Sequence, residues 1–227
     1  MPVSEIARRF ESRFGTPIQI QYGGSGTLLA NLRVAARGDL FIAADQSYMD
    51  LARSQNLVVE VLPLAYLTPV LAVPRGNPHK VSSLGDALGK KLSFAMANPE
   101  AAAVGKVVRD LLVSSGDWAV FEQRIRVMKP TVNDVANDLK LGTVDVGVVW
   151  DATVVQYPEL EAVSVAGWMD VRQEVQVGVM KASQQSTAAL RFARFLSAQD
   201  EGQAVFATHG YRTAHAGYGG RASEATP

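Results

Sequence analysis

The chain contains no cysteine, so neither a disulfide framework nor a thiolate-held metal can enter its fold or chemistry. Net charge is also missing: 22 basic and 22 acidic side chains cancel. A protein that gathers nucleic acid through its overall field needs a basic excess, so that partner is excluded, and any bound anion must be held by local dipoles. Long hydrophobic runs are absent too. The most apolar stretch, Val61 to Val73, is broken by Pro63 and Pro69 and is too short to span a membrane. The first ten residues lack the apolar centre of a secretion signal, which points either to the cytosol or to a targeting segment already removed.

Catalytic groups are equally scarce. The three histidines, His79, His209 and His215, fall in a turn, at a late helix end and in the tail. No His/Asp/Glu set has metal-ligand spacing, and no Ser/His/Asp set can be assembled. The expectation is a protein that is not an enzyme, with no catalytic residue, no cofactor and no direct metal ligand.

What is present is a core. Of 227 residues 48% are hydrophobic and 19% charged, which suits one large globular domain or two smaller lobes. Ile6, Phe10 and Phe14 recur at helical spacing behind Ser4, and Gly15 ends that helix. Pro17 to Tyr22 reads as a strand, Thr27 to Arg37 as a helix, and Asp39 to Ala44 as a short buried strand. Asp45 caps a helix over Ser47 to Gln55. Leu57 to Val73 is extended. Beyond the turn at Pro74–Pro78 come a short helix, a strand over Lys91 to Met96, a long helix to Ser114, and a brief helix at Trp118. A strand at Ile125–Met128, a helix to Leu141 and a buried strand over Val144 to Trp150 follow. A long strand over Val171 to Met180 precedes two final helices and a glycine-rich tail after Gly210.

Short apolar strands alternating with helices predict an α/β chain with mostly parallel sheets flanked by helices. The extended stretches Tyr66–Val73 and Val171–Gly178 bracket a middle segment with its own strands and helices. Two hinge strands between two lobes follow, with residues 1–70 plus 176–227 as one lobe and 71–175 as the other. A single continuous sheet is the alternative.

Four strand-to-helix loops could carry chemistry. In Tyr22-Gly-Gly-Ser-Gly-Thr-Leu28 a glycine turn and Ser25 stand at a helix start, where unpaired N–H groups and the positive helix end suit an anion. The same residues also make an ordinary turn with Ser25 as a cap. The glycine spacing fits neither a dinucleotide fingerprint nor a nucleotide-phosphate loop. Asn98-Pro99-Glu100 leads through small residues to Val104 and Gly105. Thr131-Val-Asn-Asp-Val135 opens another helix, with Asn133 or Asp134 as cap and Val135 as an N–H donor. Trp150 ends a buried strand, where ligands of open sheets sit, and its indole N–H can donate. Each of these alone is equally an ordinary cap, helix start or packed aromatic.

Taken in order, the four loops resemble the molybdate-binding proteins of ABC importers, which have the type II periplasmic-binding-protein fold. The most specific match is Gly38-Asp-Leu-Phe-Ile-Ala-Ala-Asp-Gln-Ser-Tyr-Met49, beside the Gly-Ser loop, Asn98-Pro99-Glu100 with Val104-Gly105, and the strand Val144 to Trp150. The resemblance covers roughly residues 4 to 212. It implies a receptor that captures a tetrahedral oxyanion, molybdate or tungstate, for ABC import, with sulfate, phosphate or a regulator's ligand-sensing role as alternatives. It implies Gly24, Ser25, Val104, Asn133, Val135 and Trp150 as ligand-binding residues, ABC permease subunits as partners, no nucleic acid, a monomer, and a periplasmic or other extracytoplasmic location. Trp150 stands where many relatives have a ligand-binding tyrosine. The family's first strand and its Ser loop have no counterpart here, so a shortened N-terminus is expected.

Overall fold

The computed structural model describes residues 1–35 and 37–213; His215 and most of the tail lie outside them. The elements run α1 (Pro2–Phe14), α2 (Ser25–Ala35), β1 (Leu40–Ala43), α3 (Gln46–Ser54), β2 (Val58–Leu67), β3 (Pro69–Pro74) and α4 (Leu84–Gly89). They continue with β4 (Phe94–Ala97), α5 (Ala103–Ser115), α6 (Trp118–Glu122), β5 (Ile125–Lys129), α7 (Val132–Lys140), β6 (Val146–Trp150), α8 (Asp151–Gln156) and β7 (Leu160–Val163). β8 (Gln173–Met180), α9 (Ser186–Ser197) and α10 (Ala204–Thr208) complete the chain, with a wide helical turn at Gln199–Gln203 before α10.

The strands form two sheets. One has three strands in the order β1-β8-β2; the other has five in the order β5-β4-β6-β3-β7. This is the expected two-lobe α/β architecture, but strand direction departs from the expectation of mostly parallel sheets. In the smaller sheet both pairings are antiparallel. In the larger one β4 runs parallel to β5 and β6, while β3 runs antiparallel to β6 and β7. The reason lies in the connection between sheets. β2 carries the chain out of the small sheet and β8 brings it back, so two strands that lie side by side must point in opposite directions. Alternation of strands and helices along a sequence says nothing of such return strands.

A second difference concerns residues 17–22. They are extended but belong to no sheet, and among the described residues no backbone–backbone hydrogen bond involves residues 16–23. The alternation that suggested a strand is real: Pro17, Gln19 and Gln21 are exposed while Ile18 and Ile20 are half-buried. What is missing is a neighbour to pair with.

Packing follows the predicted faces. Ile6 and Phe10 of α1 are fully buried, and the Phe10 ring lies 4.9 Å from Phe192 and 5.4 Å from Phe195 of α9. Met49 of α3 covers the other side of the small sheet at Gly178, where an added Cβ would sit 2.9 Å from its sulfur. In the larger sheet, α7 lies over β6 so closely that a Cβ on Gly147 would meet Leu139 at 2.5 Å and Val135 at 2.9 Å.

The two sheets are joined through Thr68, the single residue between β2 and β3. Its N–H donates to the Asp151 carboxylate at 3.1 Å, its carbonyl accepts the Asp151 N–H at 2.9 Å, and its hydroxyl donates to the Val171 carbonyl at 3.0 Å. One residue on the outgoing connection is thus tied both to the end of β6 and to the returning connection.

Candidate functional site

Gly23 and Gly24 turn the chain into α2, whose first residue is Ser25. Ser25 is 6% exposed, and its hydroxyl accepts the Ala44 N–H at 3.2 Å. That bond fixes the start of α2 to the end of β1. The next two amides, Gly26 and Thr27, donate to the Ala101 carbonyl at 3.0 and 3.2 Å. Tyr48 of α3 donates its hydroxyl to the Pro99 carbonyl at 3.3 Å. The loop that leaves β4 in the larger sheet is therefore seated on the N-terminus of α2 beside the smaller one. Glycine is needed for this approach: a Cβ on Gly24 would lie 2.3 Å from the Ala101 oxygen, and one on Gly26 would lie 2.6 Å from the Glu100 oxygen.

α5 starts at Ala103 with no side-chain cap at Ala102, so its first amides face outward without a helical partner. Val104 is 1% exposed. Gly105 packs on β4, where a Cβ would lie 2.1 Å from the Ala97 carbonyl oxygen. α7 is capped by Thr131, whose Oγ1 accepts the Asp134 N–H at 3.2 Å and stands 2.6 Å from the Asp134 carboxylate. The cap is therefore Thr131, not Asn133 or Asp134, because its hydroxyl is placed three residues ahead of the amide it satisfies. Trp150 ends β6 and is 4% exposed; its indole N–H makes no hydrogen bond among the described residues.

These pieces meet at one cavity of about 1050 Å³. Its lining includes Gly24, Ser25, Val104, Asn133 and Trp150, five of the six residues singled out from sequence. Val135 is not among them. It is fully buried against β6, and its N–H bonds the Thr131 carbonyl inside the helix at 3.4 Å. Its position in the first turn suggested a free donor, but the helix begins early enough to use that amide. The structure adds Thr153, 5% exposed on α8, together with Ala103 and Tyr211. Thr153 follows Trp150 by one helical turn, a spacing that could have signalled it; Tyr211 arrives from the distant C-terminal segment, where no local pattern marks it.

The lining is made mostly of neutral donors, with Arg37 and Asp39 as its charged side chains among the described residues. The first turns of α2, α5 and α7 contribute to the wall, with the positive ends of their dipoles. Among the described residues Asp39 is the one carboxylate in the lining, and it accepts the Ser183 hydroxyl at 2.5 Å. Asp151 stands beside the cavity rather than in its lining. Burial pushes its carboxyl above the usual range, against the opposing pull of the Thr68 and Ala152 N–H groups and of Arg212. Burial likewise raises the Tyr211 phenol, which keeps it a neutral hydroxyl. Among the described residues no group of three or more His, Asp or Glu side chains could hold a metal ion. Such a wall can bind and desolvate a small anion.

Comparison with known proteins gives a consistent fold. The sequence pattern of the family described as bacterial extracellular solute-binding protein matches residues 1–212. A Haemophilus influenzae protein described as a binding protein is 28% identical over 148 residues, 65% of this chain and 60% of its own length. The chain thus spans less than two thirds of that relative. A Bacillus subtilis lipoprotein described as an ABC transporter substrate-binding protein is 26% identical over 214 residues, 92% of this chain and 81% of its own. Among solved structures, the Azotobacter vinelandii periplasmic molybdate-binding protein superposes with a TM-score of 0.77 at 20% identity, covering 93% of this chain and 94% of that one.

Proposed function

The chain belongs to the bacterial extracellular solute-binding proteins, and we propose that it captures a tetrahedral oxyanion, molybdate or tungstate, for delivery to ABC permease subunits. The observation that carries this reading is the convergence of the first turns of α2, α5 and α7 on one cavity, together with an indole N–H that has no partner among the described residues and a lining whose one carboxylate among those residues, Asp39, is already engaged. An oxyanion that stays fully ionised needs donors that do not titrate, and backbone amides, an indole and aliphatic hydroxyls meet that need. The likeness in fold to the Azotobacter vinelandii molybdate-binding protein points the same way. Selectivity against the smaller sulfate would come from cavity size. On this reading the protein works outside the cytoplasm, and its two lobes, expected as residues 1–70 with 176–227 and residues 71–175, meet where the chain leaves the small sheet at Thr68 and where it returns ahead of β8.

Isothermal titration with molybdate, tungstate, sulfate and phosphate tests the proposal. Saturable heat with the first two, and binding at least tenfold weaker for the others, is expected; silence with all four overturns it. Trp150→Phe keeps an aromatic ring and removes only the N–H. Its oxyanion affinity should fall by about 1.5–3 kcal/mol, the worth of a hydrogen bond to a charged group. Its melting temperature should hardly move, because that N–H has no partner among the described residues.

A further inference from the structure

Gly24, the residue ahead of α2, has no side chain with which to cap the helix. The cap comes from another element: the Ala101 carbonyl accepts the N–H groups of Gly26 and Thr27 at 3.0 and 3.2 Å. Beside it the Tyr48 hydroxyl donates to the Pro99 carbonyl at 3.3 Å. Tyr48 is buried, and burial raises its phenol, so it stays a neutral donor. The loop that offers these two carbonyls is fixed from within. The Asn98 carbonyl accepts the Ala101 and Ala102 N–H groups at 3.0 and 2.9 Å, and the Asn98 side chain accepts the Glu100 N–H at 2.9 Å. Arg109 of α5 pairs with Glu100 at 2.6 Å. α2 and α3 pack beside the small sheet, whereas the loop leaves β4 of the large one, so these bonds join the two halves of the molecule. The cavity wall includes Leu67 and Trp150, close to Thr68 where the chain crosses between the sheets, and Gly24 and Ala102, close to this second contact.

We propose that this contact is a reversible latch between the two walls of the cavity, with Tyr48 as its positioning residue, and that it sets how fast the ligand enters and leaves rather than how tightly it binds. For the ligand, the inference rests on the oxyanion reading. Every bond of the latch runs between protein groups, and Tyr48 is not part of the cavity lining. The latch therefore forms equally with and without a bound anion, and the latched form predominates in both. An interaction made equally in both states shifts no affinity. It does oppose the opening through which ligand exchanges. Water can take over the freed amides and carbonyls, so each bond changes the closed-to-open ratio by only about fivefold, and the latch stays reversible. The glycines let the walls meet this closely. A Cβ on Gly26 would stand 2.6 Å from the Glu100 carbonyl oxygen and 3.0 Å from the Tyr48 hydroxyl. One on Gly24 would stand 2.9 Å from the Pro130 carbonyl oxygen, in a second loop of the same half.

The chain has no cysteine, so Val34→Cys on α2 and Val113→Cys on α5, both exposed, take one spin label each. Double electron–electron resonance on the full chain then reads the separation of the two halves. In this background Tyr48→Phe removes only the hydroxyl and should add a population at longer distance. Gly26→Ala pushes the loop away and should add a larger one; if that variant does not fold, Tyr48→Phe decides alone. Stopped-flow mixing with molybdate should show association and dissociation both about fivefold faster in Tyr48→Phe, with their ratio unchanged to about twofold. A fall in affinity at an unchanged association rate would make Tyr48 an ordinary support of the site and overturns the proposal. So do distances that stay the same in every variant that folds. Should molybdate and the other oxyanions all fail to bind, the proposed function falls, and the distances still decide the latch.

Discussion

At the residue scale, the glycines of the first loop matter for what they let approach. Gly23 faces only the flexible Leu28 side chain, at 3.1 Å from a built Cβ. Gly24 and Gly26 face backbone oxygens of the Glu100–Ala101 loop at 2.3 and 2.6 Å, which cannot swing aside. Gly24→Ala and Gly26→Ala should therefore each cost about 1–3 kcal/mol, the range for forced overpacking, whereas Gly23→Ala should cost less than either. Urea denaturation of the three variants checks the ranking, and Gly23→Ala as the most damaging of them would contradict it. Ser25 shows how far a residue's role can be read without a fold. Its placement at a helix start was legible from the glycine turn. That its hydroxyl receives the Ala44 amide was not, because the partner lies 19 residues away on another element.

At the element scale, helices were the most legible parts, since their apolar spacing and their caps are local. α3 begins where Asp45 predicts, with the Ser47 N–H held by that carboxylate at 2.6 Å. α7 illustrates a near miss: Asn133 and Asp134 are good caps by type, but Thr131 occupies the position and Asp134 completes the box three residues on. Thr131→Ala should then lower stability by about 1 kcal/mol. Asn133→Ala should leave stability nearly unchanged, and chemical denaturation of both variants separates the two assignments. Sheets were legible as strands but not as pairings. The alternation over Pro17 to Tyr22 predicts a strand, and the segment is extended but pairs with nothing among the described residues, because pairing depends on a neighbour that periodicity within one segment does not reveal.

At the scale of the whole molecule, the link between the two sheets and the wall of the cavity share one residue pair. Trp150 contributes to the cavity, and Asp151, next in the chain, clamps Thr68 and pairs with Arg212 at 3.3 Å. Arg212 in turn meets Tyr66 through backbone bonds of 2.6 and 3.2 Å, so the C-terminal segment closes on the same junction. The clamp carries a signature in pH. Burial raises the folded carboxyl of Asp151 above its unfolded value, so the folded state holds the proton more tightly. Stability from this group is fully present below the ordinary carboxylate range, and it is lost as pH rises through the folded value. In Asp151→Asn that slope vanishes while an acceptor oxygen remains for the Thr68 N–H. The unfolding free energy of the native protein minus that of the variant should therefore fall as pH rises from about 4, and level off once the carboxyl is ionised in both states. Urea titrations at stepped pH measure this difference. A difference that grows with pH would mean that the N–H groups and Arg212 outweigh burial, and that Asp151 is held as a stabilised anion at the junction.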